Sequence, residues 1–246
     1  MDKGEAFSSV KTAIAISDNF TDALSQMTSY RRKIVRKNNA DCRLPVIFND
    51  YMHCLWANPT TERMLPVIDK AAEVGAEYYC MDAGWYADGE WWETVGEWQP
   101  CEWRFKNGIK EVFDYIRQKG MIPGIWFEFE NVTPKCKLWD KAEWLLKKDG
   151  VPLSVGGRRF LDMENPEVIE HLRERVIKLL KDCGFGYIKI DYNDTIGLGC
   201  DGPDGLGENL RRKISATQEF FKELRKEIPE LVIENCSSGG HRLEPS

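Results

Sequence analysis

Polar and aromatic residues stand at the ends of short β-branched runs along this sequence: Asp50 and Tyr51, Asp82, Trp126 with Glu128, Asp162, Lys189 with Asp191 and Asn193, and Glu234 with Cys236. Carboxylates, a lysine and aromatic faces around one cleft suit glycosidic chemistry. One carboxylate attacks the anomeric carbon, a second protonates the leaving oxygen, and rings stack on the sugar. Asp191 is the candidate nucleophile, because Lys189, two residues earlier on the same strand face, would keep its carboxylate ionised. The competing reading of that pair is a structural ion pair at a strand end. Asp82 opens a Gly84-Trp85 turn, either as a turn carboxylate or as a hydroxyl binder. Phosphate chemistry is less well served, since the first strand is followed by no G-x-G-x-x-G and the chain has no Walker loop.

Nine tryptophans are unusual, and Trp85, Trp91, Trp92, Trp98 and Trp103 fall in one stretch. A sugar-stacking lid and packing against another domain or subunit explain them equally well. Arg158 and Arg159 could reach a substrate hydroxyl or pair with a rim carboxylate such as Asp162. Cys236, ahead of Ser237-Ser238-Gly239-Gly240, has no basic partner nearby in sequence and reads as a small rim residue rather than a reactive thiol.

The elements that must carry these residues alternate. Strands are expected over Pro45 to Tyr51, Ala76 to Asp82, Met121 to Glu128, Arg159 to Met163, Gly186 to Tyr192 and Leu231 to Cys236. Helices are expected over Thr61 to Val74, Ile109 to Lys119, Lys141 to Lys148, Pro166 to Cys183 and Leu210 to Glu227, several followed by a glycine. Period two puts Lys189, Asp191 and Asn193 on one face against Ile188, Ile190 and Tyr192, and Trp126, Glu128 and Glu130 against Ile125, Phe127 and Phe129. A face that turns polar at its end fits the rim of a closed (β/α)8 TIM barrel better than a doubly wound open sheet covered by helices. About six βα units are expected, an incomplete barrel over residues 44–246. Residues 1–43 form a leader with a short strand, Ser9 to Ile16, and a helix from about Phe20 to the basic run Arg31-Arg32-Lys33. The chain is therefore expected to be part of a longer protein.

Composition narrows the classes further. With 34 Lys+Arg against 40 Asp+Glu, the net charge of −6 gives no reason to expect a nucleic-acid partner. No run approaches the roughly 18 apolar residues of a membrane span, and the first residues lack a signal-peptide pattern, so a cytoplasmic location is expected. The eight cysteines contain no C-x-x-C pair, which favours reduced thiols over a structural metal.

Five segments in order resemble a known family: Pro45-Val46-Ile47-Phe48-Asn49-Asp50-Tyr51, Met81-Asp82-Ala83-Gly84-Trp85, Gly124-Ile125-Trp126-Phe127-Glu128, Ile188-Lys189-Ile190-Asp191-Tyr192-Asn193 and Glu234-Asn235-Cys236-Ser237-Ser238-Gly239-Gly240. Together they are similar to the α-galactosidases of glycoside hydrolase family 36, from about Ala13 to the last residue. The resemblance implies a retaining α-galactosidase acting on raffinose- or melibiose-type sugars without a cofactor or metal. It also implies that residues 1–43 are the tail of an N-terminal β-domain with a linker helix. A homo-oligomeric full-length protein is a further expectation. Asp191 matches the nucleophile, with Lys189 and Asn193 beside it. Asp82, Trp126, Cys236 and Gly239 match residues lining the galactose pocket, Arg158 or Arg159 matches a pocket arginine, and Tyr51 stands where many members carry tryptophan.

Three departures matter. Asp82-Ala83 replaces a usual pair of aspartates, Phe129 replaces a frequent proline, and the family's acid/base aspartate is expected beyond Ser246. The resemblance thus implies a covalent galactosyl ester on Asp191, with the proton for the leaving sugar supplied by the downstream acid. Ala83 and Tyr51 leave α-N-acetylgalactosaminidase specificity as one alternative, and a non-catalytic carbohydrate-binding fragment is another.

Overall fold

The computed structural model describes residues 12–242 together with Gly4 and Ala6. The chain divides into two compact units, one ending at Asn38 and the other running from Asn39 to Arg242. In the first, α1 (Phe20–Ile34) starts at Asn19, whose side chain accepts the Asp22 amide at 3.0 Å, and ends in the basic turn Arg31-Arg32-Lys33. Of the strand expected from Ser9 to Ile16, Ser9 to Lys11 lie outside the described residues and Thr12 to Ile16 form no strand.

The second unit opens with the short α2 (Asn39–Arg43) and is built on five parallel strands: β1 (Ile47–Asn49), β2 (Tyr78–Met81), β3 (Ile122–Phe127), β9 (Tyr187–Ile190) and β10 (Val232–Asn235). Their spatial order is their chain order, which makes the sheet the parallel half of a barrel. Residues 78–81 and 123–127 are buried, as strands covered on one side by helices and on the other by an interior must be. The covering helices present apolar residues at three- and four-residue spacing. They are Met64, Ile68 and Ala71 on α3 (Thr61–Glu73), and Ile109, Val112, Phe113 and Ile116 on α4 (Ile109–Gln118). Phe113 meets Phe185, just before β9, with ring centroids 4.2 Å apart, which locks α4 under the β3–β9 pair. The helix expected over Pro166 to Cys183 forms as α5 (Pro166–Leu172) and α6 (Lys178–Cys183), joined by a π-helical turn at Arg173–Ile177. The last long helix, α7 (Leu206–Glu227), begins four residues earlier than its periodicity suggested.

Two expected elements are wrong, for one reason. Lys141 to Lys148 is not a helix: it holds a 3-10 turn at Ala142–Trp144 and then β5 (Lys147–Lys148), paired antiparallel with β6 (Val151–Pro152). Arg159 to Met163 is not a barrel strand: β8 (Arg158–Phe160) pairs antiparallel with β7 (Ser154–Val155) and β4 (Asn131–Val132) in a separate sheet. Both hairpins turn on two residues of positive φ, Asp149-Gly150 at 54° and 79° and Gly156-Gly157 at 56° and 80°. Such dipeptides match the strand twist and override a weak helical or parallel-strand pattern. Among the described residues the parallel strands therefore number five, and the six expected units include one that belongs to this side sheet. No helix among the described residues is long and apolar enough to cross a membrane.

The turn after β2 depends on Gly84, whose φ is 101° and whose added Cβ would stand 2.0 Å from the Ala57 carbonyl oxygen. Gly84→Ala must both strain the backbone and displace a neighbouring chain. A loss of about 2–4 kcal/mol in urea denaturation is expected. A change below about 0.5 kcal/mol, the range of an ordinary surface substitution, would contradict this packing.

Candidate active site

Most of the candidate side chains stand at the C-terminal ends of the parallel strands, and Arg158 comes from β8 of the side sheet. Asp191 follows β9, and its backbone amide still bonds the Phe127 carbonyl of β3 at 2.8 Å, so the sheet register fixes its position. The residue is 8% exposed. Its Oδ1 accepts the backbone amides of Tyr192 at 2.9 Å and Ser238 at 2.8 Å. Its Oδ2 accepts Trp126 Nε1 at 3.3 Å and Asn193 Nδ2 at 3.0 Å. Burial alone would raise this carboxyl, but the Ser238 and Tyr192 amides and the Asn193 side chain outweigh it and hold Asp191 below its ordinary value.

Lys189 does not do what its spacing suggested. Its ammonium is 2.7 Å from Asp82 Oδ2 rather than paired with Asp191, and Asp82 also accepts Asn49 Nδ2 at 2.6 Å and the Ala83 amide at 2.8 Å. Burial pulls the Lys189 ammonium down, but the Asp82 charge and hydrogen bond more than reverse this and raise it. The nucleophile candidate is thus kept anionic by neutral donors, and the lysine serves the neighbouring carboxylate.

The Ser238 amide reaches Asp191 because Ser237 and Ser238 both take left-handed φ values of 43° and 47° in the tight turn after β10. Gly239 closes that turn, donating to the Cys236 carbonyl at 2.7 Å. Burial first, and then the Asp191 charge, push the Cys236 thiol up to about 11, so it stands beside the carboxylate as a neutral thiol and not a thiolate.

Arg158 and Arg159 separate. Arg158 turns inward to Glu128 and bonds Asp194 at 2.7 Å. Arg159 lies over the Trp139 ring and donates to the Trp139 carbonyl at 2.6 Å. Two residues grouped with the strand ends are engaged elsewhere, Asp162 with Lys213 of α7 and Glu234 with the Tyr187 hydroxyl. The tryptophan stretch also divides. Trp85 and Trp98 are core residues at 0% and 1% exposure, whereas Trp92 and Trp103 are about half exposed. Trp126 joins core to site: its carbonyl accepts Trp85 Nε1 at 3.0 Å, its ring is edge-on to Trp91 at 5.6 Å, and its indole N–H faces Asp191. Tyr51 continues this row, 6.1 Å from Trp91 and 5.9 Å from Trp56.

Sequence reasoning missed the Ser238 amide, Asn49 and Asp194. A backbone donor has no side-chain signature, and only the Ser-Ser-Gly-Gly run hinted at a tight turn. Among the described residues no group of three His, Cys, Asp or Glu side chains could hold a metal ion, and the eight cysteines are unpaired.

The parallel half-barrel gathers carboxylates, a lysine and indole rings at its C-terminal strand ends, the face on which (β/α)8 enzymes place their sites. The chain belongs to the melibiase family, which its sequence matches over residues 6–246. Alpha-galactosidase AgaA of Geobacillus stearothermophilus is 25% identical over 250 residues, 98% of this chain and 34% of the relative. Alpha-galactosidase Mel36A of Lactobacillus acidophilus is 25% identical over 254 residues, 99% of this chain and again 34% of the relative. A crystal structure of a variant of AgaA in complex with raffinose superposes with a TM-score of 0.80 at 25% identity, covering 93% of this chain and 33% of that one. The chain thus spans about a third of the length of the curated relatives it matches.

Asp50, at the end of β1, is 2% exposed and is pushed up to about 7, chiefly by burial, although it accepts the Asp82 amide at 2.9 Å. Between its ordinary value of 3.8 and about 7 the folded protein holds a proton that the unfolded chain has released, so stability falls as pH rises through that window. Asp50→Asn keeps an acceptor for the Asp82 amide and a partner for the Tyr79 hydroxyl. Its gain in Tm over wild type is expected to be larger at pH 8 than at pH 5, by about 4–8 °C per kcal/mol for a small domain and about half that for a larger one. An equal or smaller gain at pH 8 would contradict the buried, protonated carboxyl.

Proposed function

We propose that this chain carries the nucleophile half of a retaining α-galactosidase site, within a (β/α)8 barrel that begins near residue 44 and follows the tail of an N-terminal β-domain. The observation that carries the reading is Asp191: a buried carboxylate, kept ionised by four donors, at the strand end where the cleft opens. Family membership and the relatives named as α-galactosidases support the sugar, and the relative in complex with raffinose supports the class of oligosaccharide.

Oδ1 is anchored by two main-chain amides, while the donors on Oδ2 are side chains that can yield. Oδ2 is therefore the oxygen that attacks C1 of the galactosyl unit. The glycosidic C–O bond breaks as the ester forms, and the departing oxygen takes a proton from a second carboxylic acid, which we assign beyond Ser246. The same group then removes a proton from water, the water oxygen attacks C1, and the Asp191 carboxylate is released. Asp82 with Lys189, Arg158, Cys236, Gly239 and Tyr51 line the sugar pocket, and Asn193 and Trp126 steady the nucleophile. Asp50 is not the acid despite its raised value: it is enclosed by Tyr79 and the Asp82 amide.

An aryl leaving group needs little protonation. Rapid mixing of the folded chain with para-nitrophenyl α-galactoside is expected to release a burst close to one equivalent, abolished by Asp191→Asn, with negligible raffinose turnover by this chain alone. A folded chain with no burst refutes the nucleophile reading. A larger burst from the aryl α-N-acetylgalactosaminide shifts the substrate, and sugar binding that survives Asp191→Asn without any adduct marks a binding fragment.

A further inference from the structure

Glu128 follows β3 and is fully buried, yet it never touches Asp191 in the hydrogen-bond network. Its Oε1 accepts the Asn193 backbone amide at 2.7 Å and Asn131 Nδ2 at 2.6 Å, and its Oε2 accepts Asn193 Nδ2 at 2.9 Å. Arg158, 3.4 Å away, balances its charge. Asn193 is therefore held by main chain and side chain at once, and its second amide hydrogen reaches Asp191 Oδ2.

An asparagine amide has two orientations that differ by exchanging oxygen and nitrogen, and its neighbours decide between them. The Ser238 hydroxyl, which meets Asn193 Oδ1, can donate or accept and so favours neither orientation. Burial raises the Glu128 carboxyl, the Arg158 charge and the two Asn193 donors oppose that rise, and the carboxylate they favour can only accept. Glu128 and Asp191 each take one hydrogen of the same NH2 group, and Glu128 holds that group from the side away from the nucleophile. In the opposite orientation Asn193 Oδ1 would face two carboxylates.

We propose that Glu128 is a positioning residue for the nucleophile: it fixes the amide orientation of Asn193 so that its NH2 group donates to Asp191 Oδ2. This deepens the reading of Asp191 given above and rests on it only for the word nucleophile. In Glu128→Gln the new amide presents its own NH2 to Asn193, the Asn193 side chain turns over, and Asp191 exchanges a donor for a repelling oxygen. The charged form of Asp191 then loses a donor, which raises its titration midpoint, while the loss of the Glu128 charge that it feels lowers it.

Other groups around the two carboxyls stay in place in this variant. Trp126, Tyr192, Ser238 and the neutral Cys236 thiol face Asp191. Asp191 itself, Arg158, Arg242, Tyr86 and Tyr192 feel the Glu128 charge. Lys189 remains on Asp82.

The test is a carbon-13 carboxyl NMR titration of the whole chain, with the Asp191 signal assigned by its loss in Asp191→Asn. Asn193→Ala is expected to raise the Asp191 midpoint by about one pH unit. Glu128→Gln is expected to lower it when Asn193 is already alanine, because only the like charge is then lost, and to shift it about one pH unit further upward than that when Asn193 is present. The same Glu128→Gln shift whether or not Asn193 is present, that is fully additive shifts, would overturn the proposal. Should Glu128→Gln not fold, the wild-type chain decides. A nuclear Overhauser effect between the Asn193 side-chain amide and the Trp126 indole proton, both donors to Oδ2, is expected, and its absence overturns the orientation. A missing burst with para-nitrophenyl α-galactoside alongside the expected midpoints would sink the nucleophile reading and leave the role of Glu128 standing.

Discussion

A carboxylate held without a cation against it organises the mouth of this half-barrel. Taking Asp191 out of water costs several kcal/mol. Four hydrogen bonds to an ionised group, each worth about 1.5–3 kcal/mol, are enough to reverse that penalty. The donors come from three strand ends: Trp126 on β3, Tyr192 and Asn193 after β9, and Ser238 after β10. They converge only if those strands are parallel neighbours in register, with Trp126 opposite Lys189 and Asn235 opposite Ile190. Neutral dipoles have a chemical consequence as well. They keep the oxygen ionised without quenching it as a direct ammonium contact would, so it remains able to attack an electrophilic carbon.

The neighbouring carboxylates show the contrast. Asp82 is saturated by Lys189, Asn49 and its own turn, and Glu128 by Asn193, Asn131 and Arg158. Both are fixed acceptors whose work is to hold other groups. Asp50 accepts the Asp82 amide and the Tyr79 hydroxyl, and burial pushes its carboxyl up to about 7. Four acidic residues at adjacent strand ends thus have different hydrogen-bond partners, which is how one rim can separate the proposed nucleophile from supporting groups. The aromatic row has a similar gradient, from Trp85 and Trp98 in the core through Trp126 at the site to the half-exposed Trp92.

Much of this was legible in the sequence. Period two over residues 187–193 put Lys189, Asp191 and Asn193 on one face, and the structure brings all three to the mouth. Apolar spacing located α3, α4 and α7 to within a few residues. What escaped had specific physical causes. Two-residue turns with positive φ at Asp149-Gly150 and Gly156-Gly157 built antiparallel hairpins where a helix and a parallel strand were expected. Proximity along the chain suggested a Lys189–Asp191 pair, but a side chain two residues away on a strand points parallel to its neighbour. The lysine instead reaches across the sheet interior to β2. The Ser238 amide was invisible because a backbone donor is encoded only by the conformation that aims it.

Peptide-resolved mass spectrometry of the folded chain, quenched in acid during the burst with para-nitrophenyl α-galactoside, would locate the covalent bond. A single hexosyl increment on the peptide containing Asp191, absent from Asp191→Asn, is the outcome expected from an anion held by Trp126, Asn193 and the two main-chain amides. An unmodified chain, or a label on Asp82 or Glu128, would contradict it.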